Sequence, residues 1–254
     1  MKVHPNTDAD RSALGPQEAV FRFIEHVSAV FDEFGVRVEL GPDRENLLRR
    51  LDGGDLSERE QGYTHVVESQ WLPNLLHELV HLLLHGSAAD DHGFEYVEIP
   101  LDPSDARHCQ WMWDEIAACA LSTQMSVNVS TDPERFAPAW FAEQIEIQGV
   151  FWGLEDDLGG FLRLLSAQIG DPRQNQDLKA TLERAWSLVQ SALARVETPK
   201  ELYWRDPRWS FDRLWAEYWA DLRPTAGPTS KNGCTSLLNA ETPGKLGVSQ
   251  EGSP

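Results

Sequence analysis

The sequence predicts an α+β chain, mostly helical, with a central buried helix, a small sheet beside it and a helical C-terminal half. Three observations point there. The run Leu75-Leu76-His77-Glu78-Leu79-Val80-His81-Leu82-Leu83-Leu84 is apolar nearly all round a helix, which places that helix inside the molecule. Two short alternating segments, Gly35 to Leu40 and Tyr63 to Glu68, have strand periodicity. Long stretches at 3.6-residue apolar spacing fill the second half. With 254 residues and 41% hydrophobic content, the chain can build one sizeable core.

In chain order, Pro16 to Phe34 carries Val20, Phe21, Phe23, Ile24, Val27, Val30 and Phe31 at helical spacing. The first strand follows, then a short helix expected over Glu45 to Leu51 and a polar loop from Asp52 to Gln61 containing Gly53-Gly54. The second strand leads into the central helix, with Pro73 in its first turn and Gly86 just past its end. Phe94 to Ile99 suggests a further strand, closed by Pro100 and Pro103. A helix then carries Trp111 to Ser122, and helices are expected over Trp140 to Phe151, Gly159 to Ile169 and Asn175 to Val196. Phe211, Leu214, Trp215, Tyr218, Trp219 and Leu222 form an aromatic stripe of the kind that builds core. Glu155-Asp156-Asp157 reads as a solvated turn before Gly159-Gly160. One domain is expected over 1–224, with its metal-site core at 60–127 and a helical part at 135–224. Residues 225–254 hold no aromatic side chain and read as a disordered tail.

Composition removes some functions. A net charge of −19 repels nucleic acid and anionic membranes, so neither is an expected partner. The longest uncharged apolar run is far short of a membrane span, and the N-terminus lacks a signal-peptide apolar region. Three cysteines, Cys109, Cys119 and Cys234, make no disulfide framework and no CxxC pair, so a cytoplasmic location is expected.

The chemistry lies in His77-Glu78-Leu79-Val80-His81. Helical residues four apart are about 40° apart around the axis and roughly 6 Å along it, so two imidazoles can grip one zinc ion. The carboxylate following the first histidine can then reach a water on the metal. An apolar helix has little reason to desolvate two histidines and a glutamate without such a partner. A catalytic zinc takes a third protein ligand. His85 lies about 12 Å along the axis from His77 and cannot supply it. The extended motif H-E-x-x-H-x-x-G-x-x-H is excluded, because its glycine falls on Leu84 and its last histidine on Ser87. A later carboxylate is the remaining route. Glu115 shares a helix face with the small residues Ala118, Cys119 and Ser122, which would allow close approach to the motif helix. Asp114, about 100° away, is the substitute, or an acceptor for a ligand imidazole, or a surface charge. His65, His92, His108 and Tyr96 are possible transition-state donors among which the sequence does not choose.

H-E-L-V-H-L-L-L-H followed by D-E-I-A-A-C-A-L-S-T-Q-M resembles the ImmA/IrrE-type metallopeptidases, a gluzincin-like branch of the zinc peptidases. The resemblance covers residues 60–127 and implies a zincin-like core. It also implies zinc ligands His77 and His81, a third ligand near Glu115 and a catalytic Glu78. The chain departs from the family pattern at Ala117, where the family has Asn, and at Cys119, where it has Phe; no proline follows Met125. No helix-turn-helix accompanies the motif, and the family's repressor substrate is not carried over. The expected activity is zinc-dependent hydrolysis of a peptide or protein substrate, with Glu78 as general base. The alternatives are a zinc enzyme acting on a non-peptide small molecule, and a non-catalytic interaction protein that retains the helix.

Overall fold

A computed structural model describes residues 17–41, 44, 47–51, 62–69, 72–88 and 100–222. The expected strand at Phe94 to Ile99, the loop at Asp52 to Gln61, the tail at 225–254, and His92 and Tyr96 lie outside the described residues.

The sheet is small and mixed. Helix α1 (Gln17–Glu33) ends at Gly35, whose φ of 67° makes the turn into strand β1 (Val36–Leu40). Strands β2 (Leu47–Arg50) and β3 (His65–Ser69) complete a sheet of order β1-β3-β2, with β1 parallel and β2 antiparallel to β3. Where a helix is expected over Glu45 to Leu51, residues 47–50 form a strand, and residues 45 and 46 lie outside the described residues. So short a segment cannot recover the cost of helix nucleation alone, while the open edge of β3 offers a ready backbone ladder. Leu48 is buried opposite Val67, and Arg49 bonds Glu68 across the pair at 2.9 Å. The strand before the motif helix is thus the middle strand, with neighbours on both edges.

Helix α2 (Leu72–His85) carries the motif, and every residue from Leu72 to Leu84 is buried. Gly86, at φ 69°, closes it by donating its N–H to the Leu82 carbonyl at 3.0 Å. Helix α3 (Ala106–Ser126) packs along α2 and is buried from Met112 to Ser126. It begins earlier than the apolar spacing suggests because Asp105 caps it, accepting from the Arg107 N–H. The same cause extends α4 (Pro133–Ile147) back to the Asp132 cap, and a 3-10 turn (Gln148–Trp152) takes over at its end. Helix α5 (Leu158–Gly170) is capped by Asp157, which accepts from Gly160 N–H at 2.8 Å. A side chain at Gly160 would collide with that carboxylate, which accounts for the second glycine of the pair. Helix α6 (Pro172–Arg195) lies against α2, α3 and α5. A short helix α7 (Lys200–Tyr203) and a 3-10 turn (Pro207–Trp209) lead to α8 (Phe211–Leu222).

The aromatic stripe of α8 is core, as its spacing implies. Phe211 meets Phe141 edge-on at 6.0 Å and stacks on Trp215 at 6.3 Å. Tyr218 also meets Phe141 edge-on. One apolar cluster runs from Phe23 and Val67 through α2 and α3 to Phe161, Trp209 and Leu214. The motif helix sits at its centre, so the site is held by packing on several sides. No helix among the described residues is long and apolar enough to cross a membrane.

Candidate metal centre

Four buried polar side chains lie on α2: Asn74, His77, Glu78 and His81. At about 100° per residue they fall within an arc of roughly 100°, and every other residue of the helix before His85 is apolar. The motif reading covers three of them and misses Asn74. The available signal was a lone polar residue three and four positions before the motif, on its own face.

Glu115 comes to this face from α3. His77 Nε2 and His81 Nε2 are 3.0 Å apart, and Glu115 Oε2 lies 3.5 Å from the first and 3.4 Å from the second. His81 and Glu115 are each 2% exposed. Three electron-pair donors this close in a dry interior repel one another unless a proton or a cation lies among them. Tetrahedral zinc, with bonds of about 2.0–2.2 Å, holds its donors roughly 3.3–3.6 Å apart. The two Glu115 edges match that spacing, the imidazole edge at 3.0 Å is shorter and must open by a few tenths of an ångström to admit the ion, and the donor types suit zinc. It is the one group of metal-ligating side chains of this kind among the described residues.

Asp114 is placed elsewhere. Of the roles open to it, it takes neither the third ligand position nor that of a surface charge: it is buried, and it accepts from Gln110 Nε2 at 2.9 Å. Burial pushes its carboxyl above the usual range, and the Gln110 hydrogen bond and the nearby His85 and Arg184 pull it back. Gln110 also donates to Thr181 on α6 at 2.9 Å, so Asp114 belongs to a polar tie between α3 and α6. Asp114→Asn is accordingly expected to retain the zinc of the wild type, whereas Glu115→Ala weakens zinc binding by more than about tenfold. Elemental analysis checks both, and equal loss in the two variants would move the third position away from Glu115.

The remaining candidates have local roles. His85, at the end of α2, is half-buried with its ring stacked on His81 at 6.3 Å. His108 Nδ1 accepts from the Asp102 N–H at 2.8 Å and its ring stacks on Trp111, which makes it part of the turn into α3. His65 Nδ1 lies 2.9 Å from the Thr64 hydroxyl in the sheet. The fully buried Cys119 donates from its thiol to the Gln144 carbonyl on α4 at 3.7 Å. Burial, reinforced by the Glu115 carboxylate, raises that thiol well above its ordinary range and keeps it a donor. Arg184, which sequence reasoning also missed, donates from α6 to the Leu84 carbonyl at 2.9 Å and so closes the last turn of the motif helix.

Comparison of the chain with protein-family models, with curated proteins and with solved structures finds no match. A His-Glu-x-x-His helix meeting a distal glutamate is a gluzincin-type zinc-site architecture, and its buried donor triangle supports a zinc-dependent enzymatic function.

Proposed function

We infer that the protein is a zinc metallopeptidase, a hydrolase of peptide bonds similar to the ImmA/IrrE type. The observation that carries this is the convergence of His77 Nε2, His81 Nε2 and Glu115 Oε2 within 3.0–3.5 Å beside a buried Glu78. In this reading His77, His81 and Glu115 hold the zinc. Bound zinc would supply a water acidified toward neutral pH and a Lewis acid for the substrate carbonyl. Glu78 is not among the three converging ligands, so its carboxylate is the base that takes the proton and hands it to the leaving nitrogen. Its position one residue after His77 sets it about 60° from His81 around α2, beside the donors and not among them. The dry walls of α2 and α3 keep competing water from these charges and strengthen their effect.

The sheet favours a second reading. Strand β3, which leads into the motif helix, has both its edges occupied, so an extended peptide cannot add to it. Addition to β1 or β2 would serve a peptidase, whereas a small-molecule amide or ester needs no strand at all. Incubation of the zinc-loaded full chain with a mixed peptide library, read by mass spectrometry, separates the two. Cleavage abolished by chelation is the expected result. An intact library in the presence of stoichiometric zinc would reject the peptidase reading and leave the small-molecule enzyme.

A further inference from the structure

Asn74 lies on the metal-binding face of α2 but is not one of the metal donors. Around the helix it falls between His81 and Glu78, about 20° from the first and about 40° from the second. Along the axis it stands about 4.5 Å before His77 and about 6 Å before Glu78. Helical side chains lean back over the preceding turn, so the two long imidazoles carry their ring nitrogens toward Asn74. A leucine here would continue the apolar run without the cost of desolvating an amide.

Access points to the same end of the face. Exposure falls from 7% at Asn74 and 6% at His77 to 3% at Glu78 and 2% at His81. Beyond His81, the His85 ring stacks on it at 6.3 Å, and Arg184 crosses from α6 to the Leu84 carbonyl at 2.9 Å. Among the described residues, packed groups thus close the C-terminal end, and a ligand approaching the donors passes Asn74.

A primary amide has two N–H donors and a carbonyl with two lone pairs. It can keep a hydrogen bond within the fold and still offer a donor and an acceptor outward. An extended residue points its own N–H and C=O to one side, as strands do when they pair, and an asparagine amide matches both. A small molecule with a single amide or ester has no such second group to set there. Resting on the peptidase reading above, we propose that Asn74 binds the substrate backbone. It donates to the carbonyl and accepts from the N–H of one extended residue beside the scissile bond. This contact sets the register of the chain over the metal and selects peptides over isolated amides.

Calorimetric titration of the zinc-loaded full chain with hydroxamates tests it without any need for turnover. Acetohydroxamate reaches the metal alone, whereas a short peptidyl hydroxamate also reaches Asn74. Asn74→Leu is expected to keep its zinc and its affinity for acetohydroxamate. It is expected to bind the peptidyl hydroxamate at least about tenfold more weakly than the wild type, a difference of about 1.4 kcal/mol. An ester analogue, in which oxygen replaces the N–H of the contacted residue, reads the same contact on the unmutated chain even if the variant fails to fold. It should bind the wild type roughly fivefold more weakly than the amide, the effect of one hydrogen bond. Equal affinity of amide and ester, or an undiminished affinity in Asn74→Leu, would overturn the proposal. Loss of zinc or of acetohydroxamate binding in that variant would also overturn it, by making Asn74 a structural part of the helix. Wild type that binds acetohydroxamate but gains nothing from the peptidyl arm would reject the proposal and leave the metal centre standing. Wild type that binds neither would remove the zinc reading together with it.

Discussion

Protein carrying His81→Ala is expected to purify without zinc and to melt well below the wild type. The histidine is 2% exposed, and its Nε2 lies 3.0 Å from His77 Nε2 and 3.4 Å from Glu115 Oε2, so its loss removes one corner of the donor triangle. Two effects add. At a free metal concentration a thousand times the Kd, binding contributes about 4 kcal/mol to stability, and that linkage disappears. Truncating a buried side chain in a packed helix costs roughly 1–3 kcal/mol more. For a domain of this size each kcal/mol is worth about 2–4 °C, so a fall on the order of 10–20 °C is expected. A chelator controls for the second effect. It should lower the melting temperature of the wild type by about 10 °C and leave His81→Ala unmoved. Zinc retained at one per chain in this variant would place the metal elsewhere.

Glu78→Gln is expected to keep both the fold and the zinc while losing roughly 10²–10⁴-fold in turnover. Glutamine has nearly the same shape, so the packing of a side chain only 3% exposed is preserved. What disappears is the ability to hold a proton between the attacking water and the leaving nitrogen. At about 1.36 kcal/mol per decade, the loss corresponds to roughly 3–5 kcal/mol of transition-state stabilisation. The measurement is cleavage of any peptide identified from the library, at equal zinc content. A variant that cleaves as fast as the wild type would remove Glu78 from the mechanism and with it the hydrolytic reading of the motif.

Sequence periodicity located most of the helical frame because burial imposes it directly. The apolar run of α2, the stripe of α8 and the small-residue face of α3 are local patterns, and each appears where its spacing says. Helix starts were less legible. Asp105 and Asp132 caps extend α3 and α4 upstream of the apolar residues that announce them. The residues from Glu45 to Leu51 taken alone allow a helix; the partner β3, distant in sequence, makes Leu47–Arg50 a strand.

A 3.6-residue repeat alone places His77 and His81 on one helix face, sets Glu78 beside them and buries the helix. The other choices are made by the three-dimensional packing. It selects Glu115 over Asp114 by turning one carboxylate to the imidazoles and tying the other to Gln110. It also puts β3 between two neighbours, ties the Cys119 thiol to the Gln144 carbonyl of α4 and closes α2 with Arg184. The physical reason is the same in every case. A periodic pattern specifies which face of an element is buried, but it does not say which other element buries it. That depends on contacts between residues far apart in the chain, fixed only when the whole core closes.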